Sequence, residues 1–216
     1  PPPHAMHEAL DNLEKFLHDA DGRTSPIVKA GLAHAQFETI HPFLDGNGRV
    51  GRLLITFLLT ERAILHKPVL YLSHYLRRHR QEYYDHLQAV RDRGSWEEWL
   101  AFFLRGVTEV AAEAAETARR ILQLREEHRA SITQHLGRAA GNGHKVLESL
   151  FDRPIVGVKD VRELTGTTYP AANALVSRLE EIGIIDEMTG YARNRRFRYS
   201  PYIALFTEGN RNELRD

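Results

Sequence analysis

One stretch of the chain, His41-Pro42-Phe43-Leu44-Asp45-Gly46-Asn47-Gly48-Arg49-Val50-Gly51-Arg52, gathers a titratable base, a carboxylate, a Gly-Asn-Gly turn and two arginines. Glycine reaches backbone conformations that other residues avoid, so Gly46 and Gly48 let successive N–H groups converge on one point. Leu53, Leu54, Phe57 and Leu58 follow with the spacing of a buried helical stripe. The turn is therefore expected at a helix N-terminus, where unpaired N–H groups and the helix dipole favour an anion. Arg49 and Arg52 share a face of the first turn and repel each other unless an anion lies between them. Asp45 offers oxygen to a hard cation such as Mg²⁺. His41 carries a base whose ordinary pKa is near neutrality, suited to accepting a proton from a hydroxyl. Pro42 ends the preceding helix, and Phe43 reads as a core anchor for the loop. Such a set suits a site that holds a polyphosphate and activates a nucleophile.

The elements that must position these residues are mainly helical. Leu10, Leu13, Phe16 and Leu17 form one stripe, and Ser25-Pro26 reads as an N-cap followed by proline at the first helical position. Ser73 is expected to cap the segment carrying Tyr83 and Tyr84. Ser95-Trp96-Glu97-Glu98 matches a capping box, opening a helix whose Trp99, Phe102 and Phe103 face the core. From Thr108 to Leu136 an Ala/Glu/Arg-rich stretch predicts one long helix. Residues 137–143, with three glycines in seven positions, read as a linker. Beyond them come a helix around Val146 to Phe151, a second over Val158 to Leu164, a turn at Thr165-Gly166-Thr167, and a third helix from Tyr169 to Ile182 ended by Gly183. Two alternating stretches, Ile184 to Met188 and Arg196 to Tyr199, then read as strands.

Nine of the twelve positions from His41 to Arg52 match His-Pro-Phe-x-Asp-Gly-Asn-Gly-Arg-x-x-Arg, so the segment resembles the signature of the Fic family. Ala33 to Ile40 looks like the family helix leading into that motif, and Leu70 to Ser73 with Glu82 to Leu87 is similar to the segment lining its base pocket. The resemblance implies an enzyme that moves AMP from ATP onto a Ser, Thr or Tyr hydroxyl of a target protein, releasing pyrophosphate. By that likeness His41 is the general base and Asp45 holds Mg²⁺ against the α- and β-phosphates. Gly46, Asn47 and Gly48 form the anion hole, and Arg49 and Arg52 grip the β- and γ-phosphates. Tyr83 or Tyr84 packs against adenine, or else the pair contributes one core ring. Some relatives have Asn near the base where this chain has Arg91. His34, two helical turns before His41, is read as a packing residue because its spacing is not a zinc signature. The likeness also implies a hairpin flap and a regulatory helix bearing Ser/Thr-x-x-x-Glu-Gly/Asn upstream. Glu208 alone is followed by Gly or Asn, and Ala204 stands four residues before it, so both segments are expected to be missing.

The expected fold is thus mainly α, a Fic-type helical bundle over residues 1–136 followed by the linker. A small winged-helix (α+β) domain over 144–206 and a tail at 207–216 complete it. In that module Thr167, Thr168, Tyr169, Asn173 and Ser177 would face a DNA groove, with Arg193, Arg195, Arg196 and Arg198 on the wing. Nine Lys/Arg stand against eight Asp/Glu between His144 and Phe206, a weaker excess than dedicated DNA binders show. Contact with DNA, docking of a protein partner and homodimerisation all remain open. Two alternatives compete with AMP transfer: a nucleotide-sensing DNA-binding regulator without transferase activity, and transfer of another group such as UMP. Arg49 argues against the phosphorylating branch of the family, which carries Lys there.

Composition narrows the setting. The formal charge is zero and 42% of residues are apolar, so the chain can bury a core and has no global field for nucleic acid or anionic membrane. Cysteine is absent, which fits a reducing cytoplasm. No apolar run reaches bilayer length, and no basic region precedes a cleavable apolar stretch.

Overall fold

The computed structural model describes residues 2–19, 24–65, 72–191 and 194–211. Two compact units divide the chain, Pro1–Ala114 and Ala115–Asp216. Leu70, Tyr71, Ala192 and Arg193, used in the reading of the sequence, lie outside the described residues, as does the side chain of Glu208.

The first unit contains α1 (Pro3–His18), α2 (Pro26–Ile40), α3 (Asn47–Glu61), α4 (Leu72–Arg78), α5 (Arg80–Arg93) and the start of α6 (Trp96–Leu136). Pro26 opens α2 after Ser25, whose side chain makes no capping bond. Leu13 of α1 packs with Ala33, Phe37 and Ile40 of α2. Trp99, Phe102 and Phe103 are fully buried, as the pattern after Ser95 predicts. Each such ring contributes about 1.5–3 kcal/mol of transfer free energy. Trp99 also donates its indole N–H to the Gly31 carbonyl at 2.9 Å, tying α6 to α2. The helix expected from Thr108 and the one opening at Ser95 are a single helix.

Two expectations for this unit need correction. Leu53 and Phe57 are 50% and 64% exposed, and the stripe that α3 buries runs through Gly51, Ile55 and Leu59 instead. Both stripes have helical spacing, and close packing on α2 selects the one containing glycine. Ser73 does not cap the tyrosine helix: it lies inside α4, and His79 precedes the first residue of α5.

The second unit holds the rest of α6, then α7 (Ala140–Asp152), β1 (Ile155–Gly157), α8 (Val158–Thr165), α9 (Tyr169–Glu181), β2 (Asp186–Glu187), β3 (Arg196–Arg198) and α10 (Ser200–Arg211). Its sheet has the order β1-β3-β2 with both pairs antiparallel, Val156 facing Phe197 and Asp186 facing Arg198. Val146, Leu150, Val176, Leu179, Ile184 and Phe197 lie in one core. Residues 137–143 do not form a linker. A 3-10 turn occupies Gly137–Ala139, α7 begins at Ala140, and Gly143 is buried. A Cβ on Gly143 would stand 2.7 Å from Leu136 Cδ2, so this glycine serves helix packing rather than chain flexibility. α10 likewise runs across the expected boundary at 206. No helix among the described residues is long and apolar enough to cross a membrane.

Candidate nucleotide-transfer site

The site starts where α2 stops. His41 caps that helix in the left-handed conformation, φ 49° and ψ 59°, and its N–H donates to the Phe37 carbonyl at 2.9 Å. Left-handed caps usually fall to glycine or asparagine. Here a histidine holds the cap, and the following Pro42 disfavours further helix. The imidazole is thereby placed on an exposed loop at the end of a rigid element.

The loop is closed by Asn47. Its Oδ1 accepts the Phe43 N–H at 2.9 Å while its Nδ2 donates to the Phe43 carbonyl, and the residue is 2% exposed. Both ends of the Asn47 amide are therefore committed to the loop, which leaves its backbone N–H for the anion hole expected of it. Phe43, expected in the core, is 50% exposed, although its ring centroid lies 6.4 Å from that of Phe37. The Asn47 amide, rather than burial of Phe43, fixes the loop.

Gly46 takes φ 87° and is the residue before the first turn of α3; its carbonyl accepts the N–H groups of Arg49 and Val50, both at 3.0 Å. The N–H groups of Asn47 and Gly48 precede that pair, where a helix leaves its donors for an external acceptor. Asp45 accepts the Gly46 N–H at 2.7 Å through Oδ1, and its Oδ2 lies 3.3 Å from Arg49 Nη2. Both side chains are largely exposed, 94% for Asp45 and 75% for Arg49, so this pair adds little stability and is free to rearrange around an incoming ligand. Arg52 lies along the first turn: a Cβ on Gly48 would meet its Nη1 at 3.1 Å.

A cavity of about 750 Å³ opens beside the loop, lined among others by Glu38, Thr39, His41, Tyr84, Gln88 and Arg91. Arg91 donates to the Glu38 carbonyl at 2.6 Å and to the Thr39 hydroxyl at 3.4 Å, fixing the end of α2 against α5. Tyr84 is 52% exposed here. Tyr83 is not: it is 4% exposed, its hydroxyl meets His34 Nε2 at 3.0 Å, and burial raises its pKa. The adenine contact expected of Tyr83 is thereby corrected, and it supplies the core ring of the pair. His34 is fully buried beside Trp99, and burial lowers its imidazole pKa to about 4, so it is neutral.

Two residues went unassigned in the sequence. Glu38 is 6% exposed, and burial lifts its carboxyl above the ordinary carboxylate range against the pull of His41, Arg52 and Arg91. Gly51 lets it in: a Cβ there would stand 2.6 Å from Glu38 Oε1 and 3.2 Å from His34 Nδ1. A carboxylate between Phe37 and Ile40 on a helix otherwise poor in charge was the available signal. Among the described residues no group of three or more His, Cys, Asp or Glu gathers as a metal cage. The single carboxylate of Asp45 fits Mg²⁺ only as a cation that takes its remaining oxygens from phosphate and water.

Parts of the chain resemble known proteins. Residues 1–59 match the model of the Fic/DOC family. A probable protein adenylyltransferase of Aquifex aeolicus (strain VF5) is 39% identical over 66 residues, which are 30% of this chain and 20% of that protein. The protein adenylyltransferase Fic of Aedes aegypti is 33% identical over 93 residues, 43% of this chain and 17% of its own length. The chain thus spans about a fifth of these curated relatives. A crystal structure of a Fic family protein from Desulfovibrio desulfuricans G20 superimposes with a TM-score of 0.53 at 21% identity, covering 92% of this chain and 56% of that one, and shares the fold. Residues 1–59, with the loop from His41 to Arg52 inside them, are thus the part of the chain that resembles the Fic/DOC family.

Proposed function

We propose that this chain transfers AMP from ATP to a Ser, Thr or Tyr hydroxyl of a target protein. The observation that carries the reading is the Asn47-closed loop, which puts His41, Asp45 and the start of α3 within one turn of chain. Triphosphate oxygens would take the N–H groups of Asn47 and Gly48 and the guanidinium groups of Arg49 and Arg52. Asp45 would hold Mg²⁺, which supplies neutralisation of phosphate charge when bound. His41 takes the proton of the target hydroxyl as its oxygen forms a bond to the α-phosphorus. The bond from that phosphorus to the bridging oxygen of the β-phosphate breaks, and pyrophosphate leaves with its electron pair. Positioning and charge neutralisation carry most of the barrier reduction in such a transfer. The names of the Aquifex and Aedes relatives support AMP as the group moved.

Labelled ATP incubated with the chain, Mg²⁺ and a cell lysate tests this. Label moves to protein with the wild type and not with His41→Ala, while nucleotide binding to the variant persists. Equal labelling by His41→Ala overturns the role given to His41. Mass spectrometry of the labelled protein then identifies the target and the modified side chain.

The second unit fits a winged helix-turn-helix module, with α8, α9 and the hairpin of β2 and β3. Arg195 donates to Asn173 at 3.0 Å and Arg196 to Asp160 at 3.2 Å, so both wing arginines already have partners within the unit. With the near balance of charge in this segment, that favours a protein partner over DNA. Cytoplasmic residence, suggested by the cysteine-free composition, belongs to the same proposal.

A further inference from the structure

We infer that Glu38 is a positioning residue of the transfer site: its carboxyl group, seated against the first turn of α3, holds Arg52 and the glycine turn in the arrangement that grips the nucleotide phosphates. This rests on the reading of the site as an ATP site.

Three polar or charged residues are buried among the described residues: His34, Glu38 and Asn47. Asn47 closes the loop and His34 meets Tyr83, so both have a structural use. His34 Nδ1 and Glu38 Oε1 are both buried without a hydrogen-bond partner, and of the two only Glu38 is a carboxyl group with no other side-chain bond to account for its burial. An unpaired buried carboxyl destabilises a fold, and a leucine would fill the same space without that cost. The start of α3 packs against this oxygen. Oε1 would touch a Cβ on Gly51 and lies 3.8 Å from the Cβ position of Gly48, the position that Arg52 Nη1 approaches to 3.1 Å. Carboxyl and guanidinium therefore flank the same stretch of backbone.

The main chain of Glu38 is fixed as well, its carbonyl accepting Arg91 Nη2. Three residues later comes His41, which lines the same cavity. Through one residue, α5 and the first turn of α3 are thus registered against the end of α2. The groups facing the carboxyl are His34 and His41 from α2 and its cap, Arg52 from α3, and Tyr83 and Arg91 from α5. A charge on this carboxyl would attract Arg52 and repel the triphosphate, and burial disfavours that charge, so nucleotide affinity is expected to fall where the acid ionises.

The test compares wild type, Glu38→Gln and Glu38→Ala between pH 6 and 9, reading kcat and KM for ATP in transfer together with calorimetric binding of the α,β-methylene analogue of ATP. Thermal melts establish that each variant is folded. In the wild type KM rises about tenfold on the alkaline side while kcat changes less. In Glu38→Gln, an uncharged isostere, that rise is absent. Glu38→Ala has a raised KM at every pH, which Glu38→Gln largely rescues. If Glu38→Ala does not fold, the profile of Glu38→Gln decides alone. An alkaline rise kept in Glu38→Gln, or a flat wild-type profile, overturns the inference. A wild type that neither binds the analogue nor transfers label overturns the reading of the site itself.

Discussion

The hydroxyl of Tyr83 and Nε2 of His34 meet 3.0 Å apart, joining α5 to the helix that ends at His41. Both residues are buried, and the adjacent Tyr84 is not. Replacing Tyr83 by Phe keeps the ring and leaves a buried nitrogen without its partner. The expected loss is about 1–3 kcal/mol of stability, read by urea denaturation. KM for ATP stays within about twofold, since the ring is out of reach of a ligand; a tenfold rise in a variant of unchanged stability would show that Tyr83 contacts nucleotide after all.

Tyr84 gives the opposite pattern. Its ring is half-exposed in the cavity shared with His41, so Tyr84→Ala removes a stacking surface without opening the core. Stacking of a base on an aromatic ring is worth about 1–3 kcal/mol, so KM for ATP should rise roughly 5- to 150-fold. The melting temperature should move by about a degree or less. An unchanged KM would mean that the base is held elsewhere.

The loop was legible in the sequence because its turn residues are consecutive. A Gly-Asn-Gly turn after an acid can be read without knowing the fold, and Gly46 does adopt positive φ. Choices made by packing could not be read. The two apolar stripes of α3 are equivalent in spacing, and only the approach of His34 and Glu38 shows why the one with Gly51 turns inward. The glycines of 137–143 resemble a linker until Gly143 meets Leu136 and Ile132. Strand β1 is three residues long, too short to display alternation. Glu38 escaped notice because a charge on a helix is ordinarily solvated, whereas here the fold buries it against the first turn of α3.

Gly51 offers a test of that close approach. Alanine in its place gains about 1 kcal/mol of helix propensity but drives a methyl to 2.6 Å from Glu38 Oε1. Overpacking of this kind costs about 1–3 kcal/mol, and the enclosed Glu38 has little room to yield. A net loss of about 1 kcal/mol is expected for Gly51→Ala. A further loss is expected for Gly51→Val, whose branched side chain also meets the His34 ring. Denaturant midpoints at constant m-value would measure both. Stabilisation by Gly51→Ala would show that helix propensity outweighs the contact.

His34 sets a pH dependence of stability. Burial lowers its pKa from 6.5 to about 4, so between those values the folded chain binds fewer protons than the unfolded one. Stability therefore rises with pH across that window: the contribution is complete above about pH 6.5 and is lost progressively as pH falls toward 4. The displacement corresponds to roughly 3 kcal/mol. Glu38 acts in the opposite sense. Its pKa is raised, so the folded state binds the extra proton, and its contribution fades as pH rises from the ordinary carboxylate range through the folded value. The two can be separated by substitution. His34→Gln should lower stability at neutral pH while flattening the loss between pH 6.5 and 4, whereas Glu38→Gln should leave that acid limb in place. Urea unfolding at half-unit steps of pH would resolve the two slopes. An acid limb that survives in His34→Gln would assign it to other groups.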